Sequence, residues 1–374
     1  MNMMSNRYNK IIFTGDIFRS NHLGNGSQDI NINWLYSALK PCLQLAVSIP
    51  IEKHLFSTLD TSLTQSGYQM IESEVSLEAW AKLFKYKELD ETFLMNVWLS
   101  FKNSIVLAFE LPEILRDAFD TLGIPFIDII IHPVRFLDDI VFGIRSNNRE
   151  ISQLLTQHVL PEESILIQAG IVMASMSRLK RLDIQGKAAL FAGQTTDDKV
   201  LINQDKFYKV SDFCDRFAEI SASYDTLLIK AHPYSLDPFE AISISRLFNN
   251  CQIVSDNFYY LMSHDNIEAV YSISSSTSIE AKYLGKEGYH LIEYPFRFTE
   301  EYNEAEFKLG SFFTVDDVIF SADFWRKILT PLISTSALSN IKLPKKPNRI
   351  RTSLRSFWGF NFVDTDIICD LHKK

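Results

Sequence analysis

The chain has 374 residues, too many for one ordinary core, and suits two domains of about 150–200 residues each. Hydrophobic residues make up 46% and charged residues 22%, the usual mix of a soluble globular protein, so disorder, collagen and a coiled coil are excluded. Lys and Arg total 37 against 46 Asp and Glu, and the net charge of −9 disfavours a general nucleic-acid binder, because phosphate affinity needs a basic surface.

In chain order, short apolar runs rich in Ile, Val and Phe predict strands at Lys10–Thr14, Ser104–Phe109, Ile124–Ile131, Glu163–Ala169, Ala188–Ala192, Thr226–Lys230, Gln252–Val254 and Ala269–Ile273. Continuous runs of this kind mark parallel strands buried on both faces. Helical patterns are predicted at Glu113–Leu122, Ser211–Ser221, Asp237–Phe248 and Ser278–Leu284. Strand, turn and helix in alternation imply doubly wound α/β domains. The boundary is placed between Ser175 and Gly186, in a stretch carrying Arg178, Lys180 and Arg181. This gives a first domain over 1–180, a second over 181–340, and a tail over 341–374. The tail is basic and aromatic, with Lys345, Lys346, Arg349, Arg351 and Arg355 beside Phe357, Trp358 and Phe360. It reads either as a final segment packing across the two domains or as a contact with an anionic membrane face or lipid-linked acceptor.

The four cysteines are scattered without paired spacing, which argues against a disulfide framework or structural zinc and fits a reducing compartment. No stretch reaches the roughly 18 apolar residues of a membrane span, and the first residues lack the apolar core of a signal peptide. A cytoplasmic protein is expected. Gly24-x-Gly26 lacks a third glycine, and Gly186-Lys187 and Gly285-Lys286 lack the upstream glycine of a P-loop. Any nucleotide must therefore be held without a glycine-rich loop.

Three strand ends carry the chemistry expected of such a site. After Ala188–Ala192 a polar loop presents Gln194, Asp197 and Asp198, where ligands of open α/β sheets bind, although Asp is also an ordinary turn former or helix cap. After Thr226–Lys230 come Lys230 and His232, whose direction Pro233 restricts; a cation and an imidazole there suit a phosphate leaving group. After Ala269–Ile273 the hydroxyl-rich turn Ser274, Ser275, Ser276 opens a helix, an anion site that needs no glycine, with Glu280 one turn in to accept from ribose hydroxyls. In the first half, Glu110 ends a strand and is a candidate proton donor or acceptor. Asp16 and Arg19 follow the first strand and are expected to face the cleft, while His132, Arg135, Asp138 and Asp139 line a site or form a structural ion-pair cluster. No metal-ligand spacing and no GxSxG elbow is present, so carboxylates, a His-Pro and a serine turn are what remain.

GQTTDD, followed by KAHP and SISSSTSIEAKYLGK, resembles the bacterial β-Kdo transferases of capsule and O-antigen assembly, which use CMP-Kdo (Kdo is 3-deoxy-D-manno-oct-2-ulosonic acid). The His-Pro and serine elements are shared more loosely with bacterial sialyltransferases. The similarity is strongest over 188–290 and extends to GDIFR, ELPEILRDAFDTLGIPFIDI and HPVRFLDD. Ser278 stands where capsule-type relatives tend to have glycine, which favours the O-antigen type. The resemblance implies two Rossmann-like domains facing a cleft, a GT-B-like fold, metal-independent and without a cofactor, with the donor nucleotide in the second. It implies Asp198 as nucleophile in a retaining transfer through a covalent Kdo–aspartate, supported by Asp197 or with those two roles reversed, and Glu110 as the acid/base partner. It further implies His232 on the CMP phosphate, Ser274 and Ser275 holding it, and Glu280 on the ribose. Kdo is itself a carboxylate, for which Arg178, Lys180, Arg181 and Lys199 are candidate partners. The expected partners are CMP-Kdo and a glycan acceptor in lipid-linked form, with peripheral contact at the inner membrane through the tail and no nucleic acid. Two other readings stay open: a sialyltransferase or UDP-sugar GT-B enzyme, and a non-catalytic glycan-binding scaffold.

Overall fold

The computed structural model describes residues 7–19, 28–59, 61–196, 198–232, 239–337 and 350. Fourteen strands are described: β1 (Lys10–Gly15), β2 (Ile51–Lys53), β3 (Ser104–Phe109), β4 (Phe126–Ile131), β5 (Phe142–Ser146), β6 (Ala188–Ala192), β7 (Ile202–Asn203), β8 (Lys206–Phe207), β9 (Thr226–Lys230), β10 (Cys251–Ile253), β11 (Ile267–Ser272), β12 (Glu287–His290), β13 (Phe298–Thr299) and β14 (Phe312–Val315). They form a seven-stranded sheet of order β13-β14-β5-β4-β3-β1-β2, a five-stranded sheet of order β10-β9-β6-β11-β12, and the small hairpin β7-β8. The five-stranded sheet is parallel throughout. In the larger sheet β5 runs against both of its neighbours.

The strand runs are continuously apolar because helices and loops cover both faces of each sheet. Ile11 and Phe13 of β1 enter one core and Ile12 the other. In β6, Ala188, Leu190 and Ala192 face one layer while Ala189 and Phe191 face the opposite one. Two Rossmann-like α/β units result, the fold class expected from the sequence.

Two expectations are corrected. Residues 163–169 lie in the helix Glu162–Met176, not in a strand. Pro161 precedes that helix, and Glu162 and Glu163 occupy its first turn, where carboxylates complement the helix dipole. Its buried residues are Ile165, Ala169, Val172 and Met176 at helical spacing, whereas Leu166, Ile167 and Ile171 are exposed. Apolar residues on several faces gave the run its strand-like look. Second, the residues that follow β12 do not all stay with the second sheet. β13 and β14 extend the first sheet beyond β5, and Trp325 and Ile328 of the helix Ala322–Ile328 fill the first core. The chain thus crosses back, and the sequence division at 181–340 assigns this segment to the wrong sheet. Of the tail, only Ile350 is described. It is buried in the first core, its N–H donating to Asp139 Oδ2 at 3.0 Å.

Candidate functional site

Strand order fixes where the site lies. In the second unit the chain order of the strands reverses between β6 and β11, the switch point whose outer crevice binds ligands in open α/β sheets. In the first unit the corresponding point lies between β1 and β3. Gln194 and Ser274 leave the carboxyl ends at the first of these points, Asp16 and Glu110 at the second.

The β1–β3 edge is tightly tied. A Cβ on Gly15 would stand 2.6 Å from the Phe109 carbonyl oxygen, so only glycine lets these two strand ends close up. Asp16 follows, 1% exposed, accepting from Trp80 Nε1 at 2.8 Å and from Phe18 N at 3.1 Å. Burial holds its carboxyl above the usual range despite those donors. Arg19 is buried with its guanidinium 4.8 Å from the centre of the Trp80 ring. Both residues therefore support the edge from inside, which corrects the expectation that they are exposed to the cleft. Glu110 ends the strand with φ +57°, a left-handed conformation that costs a non-glycine residue about 1–3 kcal/mol. Two bonds hold it there: its own N–H donates to Ile129 O, and the next N–H, of Leu111, donates to Asp128 Oδ1 at 2.9 Å. Asp128 is fully buried and paired with Arg145 at 2.8 Å.

The facing edge comes from the second unit. Gly193 packs against the Lys230 carbonyl and His232 N–H, which draws the β6 and β9 loops together. Gln194 Oε1 accepts from Ser274 N at 2.8 Å, and the Ser274 hydroxyl donates to Val200 O at 2.6 Å. Gln194 and Ser274 thus pin the Asp198 loop to the serine turn. Ser274 is buried, while Ser275 and Ser276 are half-exposed. Ser278 bonds the Ser272 hydroxyl at 2.8 Å and the Tyr289 carbonyl at 3.0 Å. Burial and the Lys230 ammonium hold His232 below the usual histidine range, so its imidazole is neutral at pH 7. Burial likewise lowers Lys230, against the charge of Asp256.

Asp198 stands between the two edges. It caps the short turn Lys199–Leu201, accepting from Val200 N at 3.2 Å, so the ordinary capping role is present. Burial first, and the charge of Glu110 as well, push its carboxyl above the usual range; the Val200 bond, Lys199 and Arg19 pull the other way. Its neighbour Lys199, 8% exposed, reaches across to form an ion pair with Glu110. The hairpin that follows also crosses: Ile202 enters a core of the first unit, and the Phe207 ring lies 5.6 Å from Trp80. Of the four candidate partners for a substrate carboxylate, Lys199 alone is placed at this crossing. Arg181 bonds Ser263, and Arg178 and Lys180 are exposed. Asp197 lies outside the described residues.

Glu280 is 2% exposed and accepts at Oε1 from the Arg135 backbone N–H at 2.6 Å and from the Tyr259 hydroxyl at 2.9 Å. It links the serine-turn helix to the first unit. Nearby, His132 is buried, accepts from Val134 N at 3.2 Å and packs on Phe298. Sequence reasoning missed the connection from β12 to β13. It carries Tyr294 and Phe296, with Tyr294 in electrostatic reach of Arg135, Asp198, Glu110 and Glu280. The aromatic alternation of Tyr294-Pro-Phe-Arg-Phe298 was the available signal. Among the described residues, no group of three or more His, Cys, Asp or Glu could hold a metal ion, and no helix is long and apolar enough to cross a membrane.

No protein-family model and no curated protein matches the sequence. Among solved structures, the chain is similar to a β-Kdo 2,7 transferase, KpsC of Thermosulfurimonas dismutans, at 13% identity and a TM-score of 0.33, over 62% of this chain and 89% of that one. A β-Kdo 2,4 transferase, KpsC of the same organism, aligns at 16% identity and 0.32, over 49% and 67%. UDP-GlcNAc 2-epimerase of Neisseria meningitidis, bound to UDP-GlcNAc, aligns at 13% and 0.29, over 98% and 100%. These scores are low, and the α/β assignment above stands on the strand order of the chain itself.

Proposed function

We propose that this chain is a retaining glycosyltransferase that moves Kdo from CMP-Kdo to a glycan acceptor. The observation that carries the reading is the meeting of Asp198 and Glu110 from opposed switch points, beside a serine turn and a His-Pro loop. In the first step a carboxylate oxygen of Asp198 attacks the anomeric carbon. The bond from that carbon to the phosphate oxygen breaks, and CMP departs with the electron pair. An acceptor hydroxyl then attacks the same carbon, its proton passes to Glu110, and the Asp198 oxygen leaves. Two inversions give net retention.

Neutral His232 and half-exposed Ser275 and Ser276 supply donors for the phosphate, with Lys230 adding charge. Glu280 is engaged with Arg135 and Tyr259, so in this reading a ribose contact would share its carboxylate with those donors. Asp197 supports the Asp198 loop. Lys199 shifts from Glu110 toward the Kdo carboxylate when donor enters, freeing Glu110 for the acceptor, which Arg135 helps to orient. The acceptor is lipid-linked, and the basic tail meets the membrane face.

Calorimetric titration with CMP, UDP and GDP tests the donor class. Selective CMP binding, followed by an intact-mass adduct on Asp198 with CMP-Kdo, is expected. A preference for UDP overturns the Kdo assignment in favour of a UDP-sugar enzyme, and binding of none favours the scaffold reading.

A further inference from the structure

We propose that Tyr294 is a substrate-contacting residue of this site, its phenol O–H donating to the sugar of the donor while its ring and Phe296 wall the sugar in. The inference deepens the transferase reading and rests on it for the identity of the sugar. Three observations carry it.

First comes placement. Tyr294 sits on the crossing from the second sheet back to the first, between β12 and β13, within electrostatic reach of Arg135, Asp198, Glu110 and Glu280. These come from both edges of the cleft, so the phenol stands where they meet. Second, Tyr294 is half-buried, and among the described residues no hydrogen bond joins its hydroxyl to a protein atom, which leaves that hydroxyl open toward solvent. A phenol hydroxyl that no protein group engages is available to a ligand oxygen. Desolvation raises the phenol above its ordinary range, so it remains a proton-bearing donor at neutral pH.

Third, the ring is held in place. His290 lies nearly parallel to it, with centroids 5.2 Å apart and 15° between planes, and Phe296 meets it edge-on at 5.7 Å. His290 Nε2 in turn bonds the Ser275 carbonyl at 2.8 Å, and Phe296 packs on Phe312 at 5.9 Å. The Lys199 ammonium lies 5.9 Å from the Phe296 ring centre. One aromatic run therefore connects the serine turn, on the nucleotide side, to the lysine that pairs with Glu110. A fixed aromatic wall with an open donor and an adjacent cation matches an acidic sugar: apolar face on the rings, hydroxyl or carboxylate on the phenol.

The test compares wild type with Tyr294→Phe, which keeps the ring and removes only the donor. Calorimetry with CMP and with CMP-Kdo, and a melting curve for each chain, are the measurements. The expected result is an unchanged melting temperature, CMP affinity within about twofold of wild type, and CMP-Kdo affinity about tenfold weaker, the usual cost of one good hydrogen bond. Equal CMP-Kdo affinity in the two chains overturns the inference while leaving the transferase reading intact. A parallel loss for CMP moves Tyr294 to the nucleotide and also overturns it. If wild type instead prefers a UDP-sugar, and Tyr294→Phe weakens that sugar nucleotide but not UDP, the Kdo reading falls and the inference stands. A wild-type chain that binds no sugar nucleotide overturns both.

Discussion

The two strand-end edges that meet at the cleft are built in opposite ways. On the first-sheet side the carboxylates are committed to protein: Asp16 to Trp80 and Phe18, Asp128 to Arg145 and Leu111, Glu110 to Lys199. The backbone there is strained at Glu110 and closely packed at Gly15. On the second-sheet side half-buried Gln194 and buried Ser274 bond one another, while His232, Ser275 and Ser276 keep surface open to solvent. A strained, over-determined residue on one side and accessible donors on the other is the division expected when one edge must hold a reactive carboxylate and the other must admit a ligand.

The sharpest way to break that comparison is Asp198→Asn. Transfer should fall by at least about 10⁴-fold, as for loss of a nucleophile, with CMP affinity nearly intact; undiminished turnover removes Asp198 from that role. Glu110→Gln, on the opposite edge, should slow transfer by about 10²–10⁴-fold without unfolding the chain. A collapsed melting temperature in that variant would show the residue to be structural. Asp128→Asn probes the buried support of the same edge. It strands the buried guanidinium of Arg145, and urea denaturation should show a loss of about 3–5 kcal/mol, whereas a loss under about 1 kcal/mol would mean the pair is solvated.

The most gradual effect concerns His132. Burial, with the Arg135 charge adding to it, lowers its imidazole from 6.5 to about 3. Within that window the unfolded chain binds a proton that the folded chain refuses, so stability falls as pH drops from about 6.5 toward about 3. The slope from this one group is about 1.4 kcal/mol per pH unit. His132→Gln should flatten the stability profile by that one proton, measured as urea midpoints across the window. An unchanged slope would place the titration elsewhere.

Much of this site was legible before any coordinates. The runs at 188–192 and 226–230 are uninterrupted apolar segments that stop at a polar residue, so Gln194, Asp198, Lys230 and His232 could be assigned to strand ends directly. The helix Glu162–Met176 could not, because apolar residues on several of its faces hide the helical period. The same run would have been separable by its Pro161 and two leading glutamates, a helix-start signal that outranks hydrophobicity.

The sequence by itself determined the α/β class, the parallel strands and the polar residues at their carboxyl ends, since all three follow from patterns within about ten neighbouring residues. Only the tertiary structure decided which ends face each other. Lys199 and Glu110 are 89 positions apart, and Arg135 and Glu280 are 145 apart. The return of β13 and β14 to the first sheet, and with it the passage of Tyr294 through the cleft, depends on which sheet edge was left to be paired. Local pattern carries no information on that choice, because an open strand edge is satisfied equally well by any segment the rest of the fold brings to it.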